Sequence, residues 1–165
     1  MNQRIKFLLC AALTLGPIQT LLAAELGDPI PDCALTGDAA GYRLKQFQGK
    51  VLYVDFWASW CDHCAKSFPF MNNLDREFKD QGLQIIGVNV DENPADAQDF
   101  LAKFPADFIV AADTQGQCAT SFGVKAMPSS YLIDRKGRIH HIHLGFRTED
   151  AEELKALVAQ LLAER

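Results

Sequence analysis

Lysine and arginine never cluster in this sequence, and at 16 against 21 acidic residues they are the minority charge. A partner held through a phosphate backbone needs a concentrated basic surface, so nucleic acid is excluded as the target. The chain also lacks internal repeats and low-complexity tracts. A second Cys-x-x-Cys is missing, which weakens the case for a closed four-ligand metal site. Histidine is scarce: His63, His140, His141 and His143 are the whole set. What is present is sulfur, with five cysteines at positions 10, 33, 61, 64 and 118.

The N-terminus sets the compartment. Arg4 and Lys6 precede the apolar stretch from Phe7 to Ile18, and the small residues Ala23 and Ala24 follow it, the layout of a secretory signal at residues 1–24. An uncleaved membrane anchor is the alternative, weakened by Thr14, Gly16, Pro17, Gln19 and Thr20. Leu9 stands where a lipid-attachment cysteine needs a small neighbour, so Cys10 belongs to the removed segment. Cleavage after Ala24 leaves 141 of the 165 residues, one domain from 25 to 165, with the formal charge moving from −5 to −7. Four cysteines then remain in a compartment where disulfides persist, the periplasm or the periplasmic face of the inner membrane.

Hydrophobic patterning gives the element order. Short strands are expected around Ala34 and Tyr42, separated by the turn Thr36-Gly37-Asp38. Val51 to Trp57 is apolar apart from Asp55 and reads as a strand buried on both faces. Phe68, Met71, Leu74 and Phe78 recur at helical spacing, predicting a helix from Cys64 to Phe78 that Pro69 bends and Gly82 stops. A strand from Gln84 to Val90, a helix from Pro94 to Phe104, a strand from Phe108 to Ala111 and a short helix from Gln117 to Phe122 follow. Ser130 to Ile133 and Ile139 to Leu144 form a hairpin about Asp134 to Gly137, and Glu149 to Ala163 is a closing amphipathic helix. This order predicts an α/β fold: a central mixed β-sheet flanked by helices, with an N-terminal β-hairpin extension.

Cys61 falls where a buried strand gives way to a helix, the place where reactive groups collect in open α/β sheets. Unpaired backbone N–H groups and the helix dipole there stabilise a thiolate, which makes Cys61 the nucleophile. Cys64, one turn further in, is the resolving thiol, and the two form a redox disulfide. Between them, protonated His63 favours the Cys61 thiolate and the carboxylate of Asp62 opposes it. Asp55 inside so apolar a strand costs several kcal/mol unless neutral, paired or used. Its side chain alternates in phase with Tyr53 and Trp57, so it is a candidate proton acceptor and donor for Cys64. A carboxylate satisfied by a local donor is the plainer alternative.

Met127-Pro128 precedes a strand, where the missing N–H of proline is harmless; a cis bond there exposes the Met127 backbone to an extended substrate. Trp60 adjoins the nucleophile and is expected to shape a groove for substrate chains. Cys33 and Cys118 read first as free buried cysteines, with a stabilising bridge as the second possibility. His141 and His143 share one strand face, so a copper or zinc carrier using them with Cys61 and Cys64 is a rival function.

Taken together, Gly49-Lys50-Val51, Asp55 through Cys64, Phe122-Gly123-Val124, Met127-Pro128 and Tyr131-Leu132-Ile133-Asp134 with Gly137 resemble the thioredoxin superfamily, specifically its exported TlpA/ResA-like thiol-disulfide oxidoreductases. The match runs from about Gly27 to the C-terminus. It implies a thioredoxin fold, a reactive Cys61, a resolving Cys64, a cis-Pro128 and a proton-handling Asp55. It further implies reduction of disulfides in exported partner proteins, supplied by a membrane electron donor and without a bound cofactor. Asp62 departs from the usual proline, and Cys-x-His-Cys is similar to the oxidising DsbA-type site. An oxidase or isomerase role is therefore the alternative direction.

Overall fold

The computed structural model describes residues 23–37 and 41–164. The part of the expected signal segment up to position 22, Cys10 included, and Asp38 of the first turn lie outside the described residues. Among the described residues no helix is long and apolar enough to cross a membrane.

Strands β1 (Ala34–Leu35) and β2 (Tyr42–Arg43) pair antiparallel as a small separate sheet. They lead through a 3-10 turn, Leu44–Phe47, to β3 (Val51–Trp57), α1 (Asp62–Phe78), β4 (Leu83–Asn89) and α2 (Pro94–Lys103). Then come β5 (Ile109–Ala112), α3 (Gln117–Phe122), β6 (Ser129–Ile133), β7 (Ile139–Leu144) and α4 (Ala151–Ala163). The main sheet has the order β5-β4-β3-β6-β7. β3 is central, parallel to β4 and antiparallel to β6. The predicted mixed sheet with a hairpin extension is the one observed.

Alternation along β3 splits the core into two layers. Val51, Tyr53 and Trp57 face α1, α2 and α4 through Phe68, Met71, Leu74, Phe100, Val158 and Leu161. Leu52, Val54 and Phe56 face α3 and the N-terminal extension through Phe122, Leu35 and Leu44. All seven β3 residues are buried, as its continuous apolar run requires. Trp57 packs edge-on against Phe68 at 5.0 Å between centroids and tilted against Phe100 at 4.8 Å. Gly87 makes room for this ring: a Cβ there would stand 3.2 Å from Trp57 Nε1 and 3.0 Å from Phe108 Cε2.

Element boundaries differ from the sequence expectation where a side chain supplies a cap. Helix α1 starts at Asp62 rather than Cys64, because the Cys61 sulfur accepts the Cys64 N–H and makes Cys61 the N-cap. It runs unbroken through Pro69 to Phe78, and Gly82, at φ +101°, turns the chain out of the following 3-10 turn. The closing helix begins at Ala151, since Thr148–Asp150 forms a 3-10 turn tied by the Asp150 carboxylate to Arg147 N. The 3-10 turn at Leu44–Phe47 has no counterpart in the hydrophobic pattern. Strand and helix ends elsewhere coincide with the expectation or move by one residue.

Cys33 and Cys118 are joined as a disulfide, against the reading of free core cysteines. Their Cα atoms lie 5.2 Å apart although 85 positions separate them in sequence. Local pattern cannot reveal this, because it is the packing of α3 under the extension that brings them together. Backbone bonds between Thr36 and Ala112, 2.9 and 2.7 Å, fasten the same extension to the end of β5. Replacing both Cys33 and Cys118 by Ala should lower unfolding stability by about 2–5 kcal/mol, measured by urea titration under non-reducing conditions. An unchanged midpoint would show that the extension is held by packing alone.

Candidate active site

The loop from Ala58 to Trp60 leaves the carboxyl end of β3 and delivers Cys61 to the N-terminus of α1. It is pinned from the neighbouring strand. Asp91, buried just past β4, accepts hydrogen bonds from Ser59 N at 2.9 Å, Ser59 Oγ at 3.0 Å and Asn89 Nδ2 at 2.7 Å. Asn89 Oδ1 in turn accepts Asp91 N–H at 3.1 Å. Asp91 and Asn89 were not singled out from the sequence. The available signal was an acid immediately after a buried strand, at the sheet end where the cysteines emerge.

Cys61 and Cys64 form a disulfide, with Cα atoms 5.3 Å apart. Cys64 is fully buried, whereas Cys61 keeps 6% exposure. The Cys61 sulfur accepts the Cys64 N–H at 3.1 Å and thus sits at the positive end of a helix 17 residues long. A cavity of about 330 Å³ opens beside it, between Cys61, Asp62 and Ala65 on one wall and Asp96, Phe100 and Lys103 of α2 on the other. The α2 contribution was not foreseen, since it depends on the β4-to-β5 crossover folding back over α1.

Asp62 and His63 have different surroundings. Asp62 is exposed in the first turn of α1. His63 Nδ1 lies 3.1 Å from the Phe146 carbonyl, which only accepts, so Nδ1 carries a proton and the ring is tied to the segment after β7. Trp60 is 70% exposed beside a nearly buried sulfur. The Met127–Pro128 bond is cis. Because Phe56 pairs with Ser129 and Asp55 with Ser130, the register carries Pro128 to the level of Trp57, at the sheet end that bears Cys61. Met127 packs against both core layers.

Asp55 is completely buried on the α1 side of β3, between Tyr53 and Trp57. Ser130 Oγ donates to its Oδ1 at 2.6 Å, and Tyr53 OH donates to Ser130 Oγ at 3.0 Å. Oδ2 has no hydrogen-bond partner. Burial pushes the carboxyl up from 3.8 to about 7, partly offset by the Ser130 hydrogen bond. Asp55, Cys61 and Cys64 thus belong to one layer of the fold.

The histidines of β7 do not join that group. His141 and His143 share a face, with ring centroids 6.3 Å apart. His143 Nε2 is 3.2 Å from Asp150 Oδ2, and burial together with His143 holds His141 below its usual range. Among the described residues no group of three or more His, Cys, Asp or Glu side chains is placed to hold a metal.

The raised Asp55 pKa has a stability consequence. In the unfolded chain the carboxyl loses its proton near 3.8, whereas the folded protein keeps it until about 7. Between these values the folded state binds more protons, so folding weakens as pH rises and the full penalty applies above about 7. Asp55→Asn should therefore stabilise the oxidised protein at pH ~8 by up to the order of 4 kcal/mol, and by far less near pH ~3.5. Urea unfolding at both pH values checks this; an equal effect at both would contradict it.

Comparison with known proteins places this geometry. The Redoxin family model matches residues 25–161. Thiol-disulfide oxidoreductase ResA of Bacillus thuringiensis subsp. konkukian is 34% identical over 131 residues, covering 78% of this chain and 75% of the relative. ResA of Bacillus subtilis is 34% identical over 125 residues, 74% of this chain and 69% of its own length. A crystal structure from Chlorobium tepidum, designated thiol:disulfide interchange protein DsbE, superposes with a TM-score of 0.83 at 44% identity, covering 86% of this chain and all of that one. The fold is the thioredoxin fold, and the chain belongs to the Redoxin family as a TlpA/ResA-like thiol-disulfide oxidoreductase of the thioredoxin superfamily.

Proposed function

We propose that this enzyme acts in the periplasm, either released or held at the inner membrane by its N-terminus, and reduces disulfides of exported partner proteins. One arrangement carries the proposal: a Cys61–Cys64 disulfide capping a helix, with a buried carboxyl of raised pKa in the same layer. The Cys33–Cys118 bridge supports an oxidising compartment, and the reducing direction rests on resemblance to the ResA-like branch.

In the reduced enzyme the Cys61 thiolate attacks one sulfur of the partner's disulfide. An S–S bond forms between Cys61 and the partner, and the partner's other sulfur leaves as a thiolate. Asp55, as carboxylate, takes the proton of Cys64. The Cys64 thiolate then attacks Cys61 Sγ, closing the Cys61–Cys64 disulfide and releasing the second partner sulfur. Two electrons have passed from the dithiol to the partner, and a membrane dithiol donor restores the enzyme. Asp62 and His63 tune the ionisation of Cys61, while Trp60, Met127 and Pro128 form the surface against which an extended partner segment lies.

Cys64→Ser blocks the second step, so it should retain partner proteins as Cys61-linked mixed disulfides recoverable from periplasmic extracts by gel shift and mass spectrometry. Absence of such adducts, with wild type unable to reduce protein disulfides, would refute the assignment. Equilibration with glutathione decides direction: a potential near about −270 mV marks a reductant, one near about −120 mV an oxidant. Trp60→Ala should slow reduction of a protein disulfide several-fold more than that of a small disulfide. Equal slowing would remove Trp60 from partner docking.

A further inference from the structure

In the core layer that also holds Cys61 and Cys64, three side chains from two strands form a continuous hydrogen-bond chain, Tyr53 to Ser130 to Asp55. Asp55 and Ser130 are register partners across β3 and β6, so their side chains rise on the same face of the sheet. Tyr53 lies two residues back on β3 and shares that face. The exposures are 2% for Tyr53, 4% for Ser130 and 0% for Asp55.

Proton counting fixes the direction of this chain. Ser130 has one hydroxyl proton for two neighbours. When Asp55 is ionised it only accepts, so Ser130 donates to Oδ1 and Tyr53 donates to Ser130. When Asp55 is neutral, a proton on Oδ1 would have to point at Ser130, turn the serine towards Tyr53 and leave the buried phenol without an acceptor. A proton on Oδ2 keeps both existing bonds. Either placement leaves one buried donor unpaired, but only the proton on Oδ2 spares both hydroxyls a reorientation. The proton therefore enters and leaves at Oδ2, the oxygen with no partner of its own, while the rest of the chain does not reorient.

We propose that Ser130, held by Tyr53, is a positioning residue for proton transfer: it occupies Oδ1 of Asp55 in both protonation states and so confines the exchanging proton to Oδ2. This deepens the reading of Asp55 as the proton acceptor for Cys64 and rests on it. The serine also sets how acidic the carboxyl is, because a donated hydrogen bond favours the charged form and opposes the upward push of burial. Tyr53 is itself pushed upward by burial and by Asp55, and so remains a neutral donor.

Other groups around Asp55 do not replace the serine. Its register partner on β4 is Gly87, which has no side chain, and Asp91 beyond that strand is committed to Ser59 and Asn89. On β7, His143 lies opposite Ser130 and is bonded to Asp150, while His141 lies opposite Leu132. α1 brings Cys61 and Cys64, and α2 and α4 bring Phe100, Val158 and Leu161 to this layer.

The test is the pH dependence of Cys64 attack on a preformed Cys61 mixed disulfide, followed by rapid mixing, together with a ¹³C-carboxyl NMR titration of Asp55 in the oxidised protein. In wild type the carboxyl midpoint should lie near 7, and the rate midpoint should follow it. Ser130→Ala should raise both by about one unit or more, a loss of roughly five-fold in rate at pH 7. Tyr53→Phe should raise them by less, and Ser130→Thr should restore them. In an Asp55→Asn background Ser130→Ala should change nothing. If Asp55→Asn abolishes the midpoint but Ser130→Ala leaves it in place, the positioning role is overturned and Asp55 keeps its own. If Asp55→Asn leaves the midpoint unchanged, both fall. The carboxyl titration reads the acidity of Asp55 without turnover, so a Ser130→Ala enzyme too damaged to assay still decides: an unmoved carboxyl midpoint overturns the proposal.

Discussion

The hydrogen bond from the Cys64 N–H to the Cys61 sulfur is the contact on which the site depends. It makes a sulfur atom the N-cap of α1, so the cysteine proposed to carry charge is the group that begins a long helix. Everything nearby keeps that sulfur in place. The apolar side of α1 is clamped to β3 through Phe68, Met71 and Leu74, and the approach loop is tied to Asp91 by two hydrogen bonds from Ser59. A side chain unable to accept a hydrogen bond at position 61, or a loose loop before it, would leave the helix dipole facing solvent, where screening weakens it.

The second constraint is the ionisable group set in the layer that the helix covers. Burying Asp55 is unfavourable for folding at neutral pH, and a purely structural strand would replace it with an apolar residue. The fold limits that cost with one serine and one tyrosine and leaves the second carboxyl oxygen open. A carboxyl of this kind is poised to change charge near neutrality, a property that a solvated aspartate lacks. Stability is thus traded against reactivity within a single layer of the sheet.

Much of this was legible in the residues. The run Val51 to Trp57 with one acid in it announced a buried strand and an anomalous carboxyl, and Cys61 with Cys64 at the strand-to-helix switch announced the redox pair. Met127-Pro128 was legible through its family resemblance. What escaped had one cause: it depends on which strands lie side by side. Ser130 is unremarkable until β6 is paired against β3, and Asp91 is a loop acid until β4 is set beside the cysteine loop. Cys33 and Cys118 are ordinary core cysteines until α3 is folded beneath the extension. Periodicity reports the face on which a residue lies, not the neighbour it meets there.

The central claim is that the fold makes one of two adjacent thiols acidic and reactive and keeps the other shielded. Alkylation of protein reduced at Cys61–Cys64 with the Cys33–Cys118 bridge intact, using iodoacetamide as a function of pH and identifying each modified sulfur by mass spectrometry, measures this directly. Cys61 should react alone, with an ionisation midpoint well below the ~8.5 of a free thiol, while Cys64 stays unmodified in the folded protein. Both sulfurs reacting at similar rates, with a common midpoint near that of a free thiol, would contradict the account.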